Sequence, residues 1–132
     1  MAELFSADWM NQLKDAWNAE PELSGALEKI DFNSTIGYGF PDDPQPKGYI
    51  KVEHGKVTQA GEYSGEELSW DLRAKEDNWR KWMAKEIGMA GLGMAATTGK
   101  LKFKKGEYGA MIKDPRMAGP FIKSFAVMGR GH

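Results

Sequence analysis

The chain has 132 residues, enough for one domain, residues 1–132, that could bury about two thirds of its unfolded surface without disulfides. Its net charge of -1 gives no indication of nucleic-acid binding. It contains no cysteine, which excludes a disulfide framework, a thiolate nucleophile and a cysteine-based zinc site. No leader-like segment opens the chain and no apolar run approaches the roughly 20 residues of a membrane span, so we expect a cytoplasmic protein without stable membrane insertion.

The first part of the chain predicts two helices. Ser6 can accept a hydrogen bond from a free N–H group of the first turn, and apolar residues follow at helical spacing to about residue 19. Pro21 suits the first position of a second, shorter helix. The apolar positions are Trp9, Met10, Leu13, Ala16 and Trp17 in the first helix and Leu23, Ala26, Leu27 and Ile30 in the second.

The next segment predicts three strands. Residues 32–40 alternate between apolar and small or polar side chains, as a half-buried strand does. The proline-rich residues 41–47 cannot continue a sheet, and we interpret them as an exposed connection. Residues 49–53 and 56–63 flank His54-Gly55, which suits a tight hairpin between the second and third strands.

A fourth strand and another helix follow. In residues 68–74 apolar and polar side chains alternate, which predicts one buried face and one solvent-facing side with Asp71 and Arg73. Glu76 and Asp77 then lead a helix that is predicted to end at Gly88. Its apolar stripe consists of Trp79, Trp82, Met83 and Ile87.

The last third of the chain contains a lysine-rich strand between two apolar segments. From Thr98 to Gly106, Leu101 and Phe103 alternate with Lys100, Lys102 and Lys104, which favours an exposed or edge strand kept soluble by charge. Asp114-Pro115 then begins a terminal helix. Its apolar side carries Met117, Ala118, Phe121, Ile122, Phe125 and Met128.

Enzyme and cofactor motifs are poorly matched. His54 lies in a predicted turn and His132 at the end of the chain, so a Ser-His-Asp arrangement has no well-placed base. Gly91 to Ala96 fits the G-x-G-x-x-A pattern but follows a helix, and Gly93 to Lys100 lacks the spacing and following helix of a phosphate loop. No ligand spacing for a metal is present. We therefore predict no catalytic residues, no metal and no cofactor.

Methionine is concentrated in the last 50 residues, around one glycine-rich segment. Helical spacing alone explains each methionine as core packing. Together, flexible thioethers suit a surface that repacks around variable apolar guests. The residues are Met83, Met89, Met94, Met111, Met117 and Met128.

The order of elements and four local motifs resemble the sterol carrier protein type 2 family, particularly its small stand-alone prokaryotic members. The most specific motif is the methionine, small-residue and G-K-L-K segment before the terminal helices. The four parts are Phe5-Ser6-Ala7-Asp8-Trp9 with Asn18, the strand Asp71 to Ala74 followed by Asp77-Asn78-Trp79, the region of Met94, and Gly99-Lys100-Leu101-Lys102-Phe103-Lys104-Lys105-Gly106.

The resemblance implies an α+β fold, in which a five-stranded, mixed and largely antiparallel sheet is covered on one face by about five helices. It also implies a non-enzymatic carrier with an apolar cavity for a lipid, a fatty acid or a fatty acyl-CoA. Lys100, Lys102 or Lys113 could meet an ionised head group. The predicted ligand-binding residues are Ile36, Tyr38, Trp70, Trp82, Met83, Met94, Leu101, Phe103, Phe121, Phe125 and Met128.

Two other interpretations remain open at this point. The same fold with a collapsed cavity could serve as an accessory subunit or interaction partner of an enzyme that handles hydrophobic or aromatic substrates. An enzyme acting on an aromatic acyl compound fits less well, because no catalytic arrangement was found. A homodimer or a complex with a partner enzyme is compatible with either.

Overall fold

A computed structural model describes residues 3–85, 87–106 and 108–129, so His132 lies outside the described residues. Helices and strands are arranged as an α+β protein, and within these residues there are six α-helices, one more than the resemblance implied. The elements are α1 (Ala7–Asn18), a π-helical turn (Pro21–Gly25), α2 (Ala26–Lys29), β1 (Ser34–Gly39), β2 (Gly48–Glu53), β3 (Lys56–Glu62), β4 (Trp70–Arg73), α3 (Glu76–Ala84), α4 (Gly88–Thr97), β5 (Lys102–Lys105), α5 (Tyr108–Lys113) and α6 (Pro115–Met128).

The five strands form one mixed sheet in the order β3-β2-β1-β4-β5. The central pair, β1 and β4, is parallel, and all the other neighbours are antiparallel. The predicted five-stranded, largely antiparallel sheet is therefore confirmed. The lysine-rich β5 pairs only with β4 and is an edge strand, as its exposed charges indicate.

The hairpin predicted at His54-Gly55 is present between β2 and β3. His54 has φ 52° and Gly55 has φ 83°, so both central residues are left-handed, as a type I′ turn requires. A Cβ atom at Gly55 would collide with the backbone of Glu28, because the turn lies directly against α2. Glycine is needed here both for its φ angle and for this close approach.

The helices lie on one face of the sheet, which we call the inner face. Helix α1 begins at the N-cap Ser6, whose Oγ accepts a hydrogen bond from the Trp9 N–H group, and it packs on β2 and β3. The predicted second helix begins at Pro21 but starts as a π-helical turn before α2. The predicted third helix ends early, at Ala84, and Gly88 (φ 67°) begins α4.

The opposite, outer face of the sheet is covered by the proline-rich segment 41–47, which was predicted to be exposed. Pro46 is buried, and Cβ atoms at Gly37 and Gly39 would collide with it. Asp71 and Arg73, predicted to face solvent, are instead buried beneath this segment. Their polar alternation was misleading because the two side chains satisfy each other, and the segment 41–47 supplies carbonyl acceptors.

No helix within the described residues is long and apolar enough to cross a membrane.

Candidate functional site

An apolar cavity lies between the inner face of the sheet and the helical layer, at the start of the two parallel strands. Ile36 on β1 is directly beside Trp70 on β4, and Leu72 follows two residues later on the same face. The parallel pairing of β1 and β4 brings these side chains together from sequence positions that are far apart. They form the floor of the cavity.

One wall comes from α1 and the segment that follows it. The indole Nε1 of Trp17 donates a hydrogen bond of 3.0 Å to the carbonyl oxygen of Gly55, which holds the ring against the β2–β3 hairpin. Leu23 in the π-helical turn and Leu27 in α2 are both buried and also line the cavity. The wall is therefore fixed to the sheet by a buried hydrogen bond as well as by packing.

The opposite wall is formed by α5 and the first half of α6. Met111 comes from α5, and Met117, Pro120 and Phe121 come from α6. Asp114 is the N-cap of α6, and its carboxylate accepts a hydrogen bond from the N–H group of Arg116. The guanidinium group of Arg116 also donates to this carboxylate, and these side-chain hydrogen bonds, with the backbone one, lower the pKa of Asp114.

Among the described residues, one ion pair joins the two walls. The Nζ atom of Lys123 on α6 lies 3.1 Å from the Glu22 carboxylate in the π-helical turn. Glu22 is largely exposed, so the pair contributes at most about 1 kcal/mol. Helix α6 is therefore held over the cavity mainly by apolar packing.

The cavity is partly open, and its volume of about 30 Å³ holds one or two water molecules but no organic ligand. All of the lining side chains are apolar, so nothing inside the cavity can pair with a buried charge or replace a lost hydrogen bond. They are Trp17, Leu23, Leu27, Phe32, Ile36, Trp70, Leu72, Met111, Met117, Pro120 and Phe121.

Of the predicted ligand-binding residues, Ile36, Trp70 and Phe121 line this cavity. Phe103 lies beside it, because its ring contacts those of Trp70 and Phe121 at centroid distances of 6.1 and 6.0 Å. Leu101 is buried in the same hydrophobic core, and Met83 is half-buried against that core.

Three further predicted residues belong to an aromatic cluster around Trp79, away from the cavity lining. Tyr38, Trp82 and Phe125 all contact the Trp79 ring, at centroid distances of 5.9, 5.6 and 6.1 Å. Phe5 closes the cluster at 5.3 Å, and Met128 is fully buried in the same core. These side chains connect α3 and α6 to the middle of the sheet.

Burial in this cluster raises the pKa of the Tyr38 phenol well above its usual value of about 10. The unfolded chain then releases this proton above pH 10 while the folded protein keeps it. The free energy of unfolding should therefore fall by about 1.4 kcal/mol per pH unit above pH 10 because of this group. Urea unfolding of wild type and Tyr38→Phe between pH 9 and about 11 tests this, since the variant should lose that part of the pH dependence. Tyr63→Phe, at a half-buried tyrosine, is the control, and equal slopes for wild type and Tyr38→Phe would contradict the assignment.

Met94 is placed differently from its prediction. Its side chain is 65 % exposed on the outer side of α4, whereas Leu92 and Ala95 of the same helix point into the core. Helix α4 has apolar or small residues all around, so its sequence does not indicate which side is buried. Lys100 and Lys102 line a separate polar cleft, and Lys113 is exposed at the end of α5, the helix that contributes Met111.

Several cavity residues were not predicted as site residues. Met111 and Met117 belong to the methionine-rich last third of the chain, and that enrichment was the available signal. Trp17, Leu23 and Leu27 were predicted as inward-facing helical positions, but nothing in their spacing distinguishes a cavity wall from packed core. Pro120 lies inside α6, where its missing N–H group marks an irregular point in the helix.

Neither a family model nor a curated protein sequence matches this chain. Its structure, in which a sheet and a helical layer flank a small apolar cavity, is similar to several solved structures. A crystal structure of sterol carrier protein 2 superposes with a TM-score of 0.75 at 21 % identity, covering 97 % of this chain and 98 % of that one. A conserved hypothetical protein of Thermus thermophilus, described as a candidate sterol carrier protein, has a TM-score of 0.68 at 19 % identity, covering 98 % of this chain and 92 % of that one.

A third structure, titled as a UbiJ-SCP2 ubiquinone synthesis protein, has a TM-score of 0.58 at 10 % identity and covers 90 % of this chain and 86 % of that one. The chain thus has the sterol carrier protein 2 fold, and the resemblance drawn from the sequence is confirmed at the level of the fold.

Proposed function

We propose that this protein is a non-enzymatic carrier that binds a hydrophobic molecule, such as a lipid, a fatty acid or a fatty acyl-CoA, in the cavity between the inner face and α5–α6. The observation that carries this proposal is a small, partly open cavity whose lining is entirely apolar, located between a sheet and a pair of terminal helices. The names of the two most similar structures reported above point in the same direction.

Ligand binding requires the cavity to expand, because its volume of about 30 Å³ is far smaller than an acyl chain. We propose that the first half of α6 moves outward together with α5. Pro120 interrupts the hydrogen bonding inside α6 and offers a bending point, while Phe125, Val127 and Met128 keep the second half in the core. The methionines at 111 and 117 can change rotamer to fit different guests.

The binding energy in this mechanism comes from burial of apolar surface, at about 25 cal/mol per Å². A long acyl chain can thereby contribute several kcal/mol with no polar anchor. Because the lining offers no hydrogen-bond partner, a polar head group has to remain outside the cavity. Selection among chains of similar size should be weak.

Filling the cavity tests its role as the binding site. Met117→Trp introduces a large ring into the α6 wall, and we expect it to weaken binding of the fluorescent fatty acid cis-parinaric acid at least about tenfold, because the ring occupies the space that a chain would enter. Gln12→Trp adds the same ring to the exposed side of α1 and should leave the affinity unchanged. Equal affinities for Met117→Trp and wild type would place the ligand elsewhere. Circular dichroism verifies that both variants are folded.

The small volume of the cavity specifically favours a second candidate function, that of an accessory protein for an enzyme acting on hydrophobic or aromatic compounds. One of the similar structures carries the name of a ubiquinone synthesis protein. Native mass spectrometry of the purified chain separates the two proposals. A mass that stays unchanged on addition of oleate or palmitoyl-CoA would overturn the carrier proposal and leave the accessory role.

A further inference from the structure

Helix α4 is unusual because it carries no charged residue in its ten positions yet lies at the surface. Leu92 and Ala95 are buried, whereas Ala90 and Met94 are exposed. Among the side chains that the structure describes, Met94 is the one large apolar side chain that is exposed, at 65 %. A helix that is apolar on all sides is normally covered, so the exposed side of α4 lacks the partner that its composition predicts.

The segment that follows α4 is strongly basic. Residues 88–106 contain four lysines and neither aspartate nor glutamate, although the whole chain has a net charge of -1. Lys100, Lys102, Lys104 and Lys105 are all exposed, and none forms an ion pair with another described residue. A basic segment without acidic residues thus follows directly after the uncharged helix α4.

The apolar and basic parts are continuous. The N–H group and the hydroxyl of Thr98 both donate hydrogen bonds to the Met94 carbonyl oxygen, at 2.9 and 2.8 Å, so the two residues follow one another along the same side of the chain. Thr98 in turn lines a cleft of about 440 Å³ together with Lys75, Lys100 and Lys102. Asp42 and Asp77 also line this cleft, and the three lysines outnumber them.

We propose that the exposed side of α4 and the adjoining Lys100 and Lys102 form a docking surface for a membrane that contains anionic phospholipids. Lysines near an anionic bilayer are attracted to its surface potential, and an exposed methionine can enter the boundary between head groups and acyl chains. This surface does not include the cavity, so the proposed membrane docking does not depend on whether the cavity binds a ligand.

Other occupants fit this surface less well. The centres of protein interfaces are depleted in lysine and enriched in tyrosine, tryptophan and arginine, and no aromatic side chain is exposed in residues 88–106 where the structure describes it. A second copy of the chain would bring the same lysines face to face, and that repulsion opposes a symmetric dimer.

Vesicle sedimentation with the full-length chain tests the proposal. We expect the protein to bind vesicles of phosphatidylcholine mixed with phosphatidylglycerol and to remain unbound with phosphatidylcholine alone. Each lysine near such a surface contributes about fivefold in affinity. Lys100→Glu/Lys102→Glu should therefore weaken binding by about 25-fold or more. Raising the salt concentration should weaken the binding of wild type as well.

A matched control alters the net charge by the same amount at the other edge of the sheet. Lys14→Glu/Lys29→Glu alters α1 and α2 by the same total charge, and we expect its binding to stay within about threefold of wild type, since distant charges are screened. Met94→Ser should weaken vesicle binding several-fold without changing the salt dependence of that binding. Met94→Leu should bind vesicles as wild type does.

Three results would overturn the proposal. If wild type binds neutral and anionic vesicles equally, then the lysines do not contribute to vesicle binding. An equal loss in the two double variants would mean that only net charge matters. A complete lack of vesicle binding would leave the surface to a protein partner with an acidic face.

Discussion

Arg73→Met should lower the free energy of unfolding by about 3–5 kcal/mol, because it leaves a buried carboxylate without its partner. The guanidinium group is 1 % exposed and binds Asp71 through two hydrogen bonds, of 2.6 and 3.0 Å. Its Nη1 atom also donates to the carbonyl oxygens of Phe40 and Asp43, which fixes the segment 41–47 on the outer face. Urea unfolding followed by circular dichroism measures the loss.

Two further variants make this prediction specific. Arg80→Met removes an exposed ion pair with Glu76, at 2.8 Å, and should cost no more than about 0.5 kcal/mol. Asp71→Leu/Arg73→Met removes both buried charges and should recover much of the stability lost in Arg73→Met. If Arg73→Met costs no more than Arg80→Met, then the pair is accessible to water and segment 41–47 is not held by it.

The sequence is a good guide to this fold wherever one face of an element is buried and the other is wet. Three local patterns are each compatible with only one type of secondary structure, and each element was predicted with nearly the right boundaries. They are the amphipathic pattern of α1, the alternation in β1 and the turn residues His54-Gly55. In β4, the alternation of apolar and polar residues led to a wrong prediction of which side chains face solvent. Asp71 and Arg73 look like solvent-facing residues, and their burial depends on carbonyl groups about 30 residues earlier in the chain.

The candidate site was only partly predictable for a related physical reason. Periodicity shows which side of an element faces inward, but it does not show how far along the sheet a side chain lies. Ile36 and Tyr38 share one face of β1, yet Ile36 borders the cavity and Tyr38 belongs to the aromatic cluster. That division depends on the parallel pairing with β4 and on the π-helical turn that brings Leu23 to the cavity.

The cavity and the aromatic cluster contact different halves of α6. Phe121 and Phe125 are one turn apart on α6, with ring centroids 5.3 Å from each other. Phe121 lines the cavity, whereas Phe125 stacks on Trp79. The aromatic cluster therefore anchors the end of the helix whose beginning covers the cavity, and the proposed opening requires that anchor to hold.

Trp79→Ala should accordingly lower the free energy of unfolding by about 3–5 kcal/mol. A large buried ring is lost in this variant, and its neighbours can fill the remaining cavity only in part. Trp79 is 0 % exposed, and its Nε1 atom donates a hydrogen bond of 2.9 Å to the carbonyl oxygen of Gly39. This carbonyl also accepts from the Ala74 N–H group, so Trp79→Phe does not leave it unpaired and should cost less than Trp79→Ala.

Hydrogen exchange connects this change to the proposed mechanism. In Trp79→Ala the amides at the end of α6 should lose protection by more than those of β1 and β2, because Phe125 loses the ring on which it stacks. Trp70→Ala is the comparison, since this half-buried tryptophan lies on the cavity floor, and its loss should cost less stability and spare the end of α6. If both variants destabilise the chain equally and leave the protection of α6 unchanged, then α6 is anchored elsewhere and the cavity opens by a different movement.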